Sequence, residues 1–176
     1  MTVVKNNLKR SIYMSESGGF IVIKSTLSFI SAFVMAIIVL NNTQDWNNGL
    51  NYTSKAMSMA HVPENPLKRR AVTKPAMHQI AYAGIVVWEV LTALLCGLGA
   101  VLMLLRPPIA GLRLAIWGHV AGLALFMAAF RGVSGQWFLL WRAGQFNGLP
   151  DVHRMIGWFL GVLAILLHGK VGSNEM

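Results

Sequence analysis

Four apolar runs, each close to the length a bilayer demands, limit what this 176-residue chain can fold into. A hydrocarbon core of about 30 Å is crossed by about 20 helical residues. The runs predict spans over 20–40, 78–105, 111–141 and 150–169, with a polar, basic tail over 1–19, a long loop over 41–77 and a short tail over 170–176. The first run carries one charge, Lys24, placed to snorkel back to the interface. Asn41-Asn42 follows it directly with no small-x-small cleavage site, so it reads as an uncleaved span rather than a secretory signal. The second starts behind Pro75, whose missing N–H suits a first helical turn, and stops at Arg106-Pro107-Pro108. Met155 to Leu167 alone is too short to span; begun at Pro150, after the turn signal Asn147-Gly148, it takes Asp151, His153 and Arg154 into its first turn at headgroup depth. The expected fold is all-α: a polytopic four-helix membrane bundle with a long loop between helices 1 and 2.

Composition agrees, with 55% hydrophobic and 12% charged residues. A soluble domain carries about a quarter charged residues. The net charge of +9 would suggest nucleic acid in a soluble protein, but here the basic residues flank apolar runs, as expected for contact with lipid headgroups and not nucleic acid. The single cysteine, Cys96, excludes an intrachain disulfide, a Cys-x-x-Cys redox pair and a thiolate zinc cage. Seven Lys/Arg on the side of the termini (Lys5, Lys9, Arg10, Lys24, Arg106, Arg113, Lys170) face eight on the other, so the count alone does not orient the chain. The short hairpin from Arg106 to Arg113 is basic without an acid, which favours cytoplasmic termini and an outer 41–77 loop.

Polar residues inside apolar spans need a reason, because an ionisable group at the centre costs about 2.5 to 3.5 kcal/mol on insertion scales. Glu89 lies about nine residues into the second span, with Tyr82 and Cys96 one heptad either way on its face. It reads either as a proton or cation carrier or as a structural carboxyl tying two helices together. His119 stands beside Gly118, and Gly118 with Gly122 makes a small-xxx-small ridge for close helix approach. Its readings are a haem ligand, a proton relay or an interhelical hydrogen bonder on a packing seam.

A transmembrane b-type haem needs two imidazoles at one depth, and only His78 with His153 meets that condition. Met57-Ser58-Met59-Ala60-His61 holds soft and imidazole donors that suit copper, at loose spacing. Neither pattern is specific, and no cofactor or metal is expected. There is no Gly-rich phosphate loop, no Ser/His/Asp or Cys/His set and no HExxH, so the chain reads as a non-enzyme.

Several short motifs share one pattern: Asn41-Asn42-Thr43-Gln44-Asp45-Trp46, Met57-Ser58-Met59, Arg70-Ala71-Val72 with Pro75-Ala76-Met77-His78, Glu89 to Cys96, and Gly135-Gln136-Trp137-Phe138-Leu139-Leu140-Trp141 with Asn147-Gly148. Together, over about residues 20 to 168, they resemble the bacterial predicted small integral membrane proteins of domain of unknown function 2165. The resemblance implies a four-helix inner-membrane protein with a long first loop and no assigned activity. It also marks Arg70, Asp45 and Gln136 as candidate functional residues beside Glu89, His119 and His78. Two positions depart from the pattern: Gln136 stands where the family often has an acid, and Ala60 where an Asp commonly follows the loop Met.

Three functions are then expected, in decreasing order. The first is a non-enzymatic accessory or anchoring subunit that packs against a membrane-protein partner. The second is a small proton-coupled transporter, dimeric because four helices enclose little volume, using Glu89. The third is a redox protein with haem on His78 and His153.

Overall fold

The computed structural model describes residues 2–105 and 108–168, with side chains described from Gly18 onward within those bounds. The Arg106-Pro107 stop, Gly169 and the 170–176 tail with Lys170 lie outside the described residues, as do the side chains of Lys5, Lys9 and Arg10. Five α-helices follow in order: α1 (Thr2–Gln44), α2 (Trp46–Met57), α3 (Pro75–Leu104), α4 (Ile109–Ala124) and α5 (Leu149–Leu167). Four segments are long and apolar enough to cross a membrane: Gly18–Gln44, Pro75–Leu104, Ile109–Trp137 and Gly144–Leu167. Successive crossings alternate in direction, so Gly18 and Leu167 share one end and the 45–74 segment caps the other.

The expected long loop between helices 1 and 2 is not what forms. No Gly or Pro interrupts the chain between Gly19 and Gly49, so α1 continues past the apolar run to Gln44. The 12-residue α2 starts at once, amphipathic, with Thr53 and Ala56 buried and Asn47, Asn48, Asn51 and Lys55 turned outward. A 3₁₀ turn, Pro66–Arg70, is capped by Asn65, whose side chain accepts from the Leu67 N–H at 2.8 Å. Hydropathy missed α2 because its asparagines lower the mean without disturbing its buried stripe.

The spans turn large apolar side chains outward, and the interior combines apolar clusters with buried polar groups. On α1, Phe29, Ile30, Phe33 and Ile37 are exposed, while Lys24, Ser25, Ser28 and Ser31 are buried. Lipid is as apolar as leucine, so association depends on close packing and interhelical hydrogen bonds rather than on hiding apolar surface. Close packing comes from the glycines of α3 and α4. A Cβ on Gly111 would lie 2.2 Å from the Met103 nitrogen, and one on Gly118 2.7 Å from Cys96 Sγ. The ridge serves two neighbours, because Gly122 faces α5, where a Cβ would meet the Phe159 ring at 2.3 Å.

Lys24 does not snorkel to headgroups. It is 1% exposed, and its ammonium donates to the carbonyls of Leu166 (2.9 Å) and His168 (2.7 Å), capping the open end of α5. The third span changes winding within its length. From Leu125 to Trp137 it is a π-helix, ending with the Phe138 N–H donating to the Val133 carbonyl at 3.0 Å. It stops at Trp137, short of Trp141, because buried Leu139 takes a left-handed backbone (φ 57°). His61 secures this break, its Nε2 donating to the carbonyls of Phe138 and Leu139 at 3.1 and 3.2 Å.

Candidate functional site

Two polar constellations sit in the bundle, one in its interior and one at the end capped by α2. The interior one centres on His119, fully buried on α4. Its Nδ1 lies 2.7 Å from the Ala115 carbonyl, which can only accept, so this nitrogen carries a proton. Nε2 meets the Ser31 hydroxyl of α1 at 3.0 Å, and the Trp158 N–H of α5 donates to the same oxygen at 2.9 Å. Cys96 Sγ of α3 lies 3.7 Å from Nδ1. One imidazole thus stands at the meeting point of all four spanning segments.

The second constellation begins with the buried stripe of α3: Tyr82, Val86, Glu89, Thr92 and Cys96, spaced three and four apart. Glu89 is midway along α3 yet level with the last turn of α1, because the first turns of α3 rise past the end of α1 beside α2. It is 2% exposed. The side-chain amide of Asn42 donates to Glu89 Oε1 and Oε2 at 3.0 and 2.8 Å, and the backbone carbonyl of Asn42 accepts from the Tyr82 hydroxyl at 2.8 Å. Trp46 meets the Tyr82 ring edge-on at 4.7 Å between centroids. Gly49 completes the fit, since a Cβ there would lie 2.0 Å from the Tyr82 hydroxyl.

These residues form the floor of a cleft of about 670 Å³ walled by Asp45, Asn147 and Asp151. Three of the four acids whose side chains are described (Asp45, Glu89 and Asp151) line it, in a chain of net charge +9. Asp151 also pairs with Arg154 at the exposed rim. Tyr52 of α2 closes one side, stacked on Phe146 at 4.9 Å, with its hydroxyl donating to the Phe146 carbonyl at 3.2 Å. Burial pushes the Tyr52 phenol above its ordinary range, against a smaller opposing pull from the Gly148 backbone. The Lys55 ammonium lies over the Phe146 ring, 4.8 Å from its centroid. The arrangement presents hydrogen-bond acceptors and negative charge to a cationic or amine-bearing group.

Of the residues singled out in the sequence, Glu89 and Asp45 are brought together here and His119 is not. His78 is buried in the first turn of α3, its Nε2 on the Val72 carbonyl at 2.7 Å, whereas His153 is exposed in a different cleft. The two imidazoles share no described cleft. Arg70 stacks on Trp137 at 4.6 Å, and exposed Gln136 lines the grooves on either side. Met59 is fully buried with Val62, Phe138 and Leu139. Among the described residues no three His, Cys, Asp or Glu converge as a metal-holding group.

Sequence reasoning missed Asn42, Asp151, Ser31 and Trp158. Asn42 was signalled by a stripe at alternating spacings of four and three (Lys24, Ser28, Ser31, Met35, Ile38, Asn42) that runs past the end of the apolar run.

Four helices long and apolar enough to span, with large apolar side chains turned outward, define an α-helical, multi-pass integral membrane protein. A family model described as predicted small integral membrane protein, domain of unknown function 2165, matches residues 20–169, and the chain belongs to that family. Comparison with curated proteins and with solved structures finds no match.

Proposed function

We propose that this chain is a non-enzymatic accessory or anchoring subunit of a membrane complex, presenting the Glu89–Asp45–Asp151 cleft to a cationic segment of its partner. The observation that carries this reading is the division of labour along the bundle. Below the cleft, His119, Ser31, Met35 and Phe159 fill the interior with essentially no exposed surface, and the partly exposed Trp158 closes the node from the flank of α5 by donating to Ser31. A carrier would have to break that node in every cycle, whereas an anchor uses it as it stands. The basic hairpin at Arg113 supports cytoplasmic termini with the cleft outside, and the bacterial inner membrane is the compartment we assign.

The test is purification in gentle detergent from native membranes. A polypeptide recovered at fixed stoichiometry, and lost when Asp45 and Asp151 are both replaced by Asn, is the expected outcome. A lone monodisperse chain contradicts the proposal.

A second reading, proton-coupled transport through Glu89, is favoured by one observation: a carboxyl only 2% exposed forms part of the wall of a cleft open at the bundle end. Under that reading Glu89→Gln abolishes pH-dependent flux in proteoliposomes while insertion persists. Unchanged flux removes it.

A further inference from the structure

On the far side of Asn147 from the acidic cleft lies a second cleft, of about 460 Å³, lined by Arg131, Gln136, Trp141, Asn147 and His153. It sits where the third span ends, at Trp137, and the fourth begins, at Gly144, which is the level of the lipid headgroups. Its charge is opposite to that of its neighbour, and the two share only Asn147.

Arg131 projects from the π-helical stretch and is half-buried. Among the described residues the one ion pair is Arg154 with Asp151, and no carboxylate reaches the Arg131 guanidinium. A guanidinium bordering hydrocarbon normally finds an anion, because leaving it unpaired there is costly. The other walls hold no carboxylate and offer hydrogen-bond donors: the side-chain NH2 groups of Gln136 and Asn147 and an imidazole N–H of His153. Trp141 is 53% exposed and Trp137 51%, as suits indoles at the membrane interface. Arg142 lies over Trp141 at 5.8 Å, so a second guanidinium stands at the rim, while Arg70, over Trp137 at 4.6 Å, belongs to the neighbouring groove across Gln136.

The geometry points to a site for a phosphate ester anion, and we infer that Arg131 engages the non-bridging phosphate oxygens with its fork while Gln136 and His153 donate to those same oxygens. An anionic phospholipid headgroup and a soluble phosphate ester carry this same chemistry. The cleft's place at the ends of the third and fourth spans, where lipid headgroups lie, favours the headgroup. The site does not depend on the partner proposed for the acidic cleft.

Native mass spectrometry of the detergent-purified protein tests it, with phosphatidylglycerol or phosphatidylcholine added in separate arms. The wild-type chain retains phosphatidylglycerol over phosphatidylcholine by about fivefold or more, the scale expected of one basic group at a membrane surface. Arg131→Gln removes that preference and His153→Gln weakens it, while Arg113→Gln, exposed at the other end of the bundle, leaves it intact. In a third arm sn-glycerol 1-phosphate competes: displacement at the lipid's own concentration assigns the site to soluble phosphate esters, and failure to displace assigns it to the headgroup. Equal retention of the two lipids by the wild-type chain overturns the inference. So does unchanged phosphatidylglycerol retention in Arg131→Gln that still melts at the wild-type temperature.

Discussion

The side-chain amide of Asn42 reaches both carboxyl oxygens of Glu89, joining positions 47 residues apart where α1 ends. Either partner left alone is a buried polar group without its hydrogen bonds, which costs about 1 to 3 kcal/mol. Asn42→Leu and Glu89→Leu are therefore each expected to lower stability, and the double variant less than the sum of the two. Thermal unfolding of the four proteins in detergent measures the coupling; strict additivity contradicts it.

The interior node predicts a small, graded effect. Interhelical hydrogen bonds in membrane proteins average about 0.6 kcal/mol and reach about 1.7. Trp158→Phe removes only the N–H donated to Ser31, and Ser31→Ala removes the oxygen that both Trp158 and His119 reach. Ser31→Ala is expected to cost more than Trp158→Phe by roughly one such bond. Steric-trap or thermal unfolding resolves the order, and the reverse ranking counts against the node.

Glycine substitutions separate packing from propensity. Gly111→Ala places a methyl 2.2 Å from the Met103 backbone nitrogen, which cannot yield without moving α3 from α4. A loss of several kcal/mol is expected, on the scale of core overpacking, about 1 to 3 kcal/mol or more. Gly157→Ala and Gly161→Ala meet nothing within 4 Å and lie on α5, so a gain approaching about 1 kcal/mol each follows from helix propensity.

Tyr52 gives the capping segment a dependence on alkaline pH. Its folded-state phenol holds the proton more firmly than an unfolded tyrosine, whose value is near 10. Its contribution is complete below that value and is lost as pH rises through the higher folded one. Tyr52→Phe keeps the stack on Phe146 and drops the titrating hydroxyl, so its stability should decline less between pH 9 and 11, followed by hydrogen exchange over 46–57; an identical decline contradicts the assignment.

The spans were legible because about twenty apolar residues have few alternatives. Glu89 and His119 stood out for the same reason: charge and imidazole are conspicuous in such runs. What the sequence concealed were relationships between runs. Lys24 looked like a snorkelling residue because its acceptors, the last carbonyls of α5, lie more than 140 positions away. Asn42 looked like loop because hydropathy ends at Leu40, although helix geometry does not. The switch to π winding at Leu125 has no marker in residue type, and the contacts of His61 that hold the end of the span lie more than 70 positions away.

In the proposed function the cleft above Glu89 meets a partner while the spans face lipid. A photocrosslinking residue at Asn48, on the cleft, tests it in intact cells against one at Leu98, on the lipid-facing side of α3. One discrete protein adduct is expected from Asn48, absent when Asp45 and Asp151 are both Asn, and none from Leu98. Adducts from Leu98 alone, or none from Asn48, would contradict it.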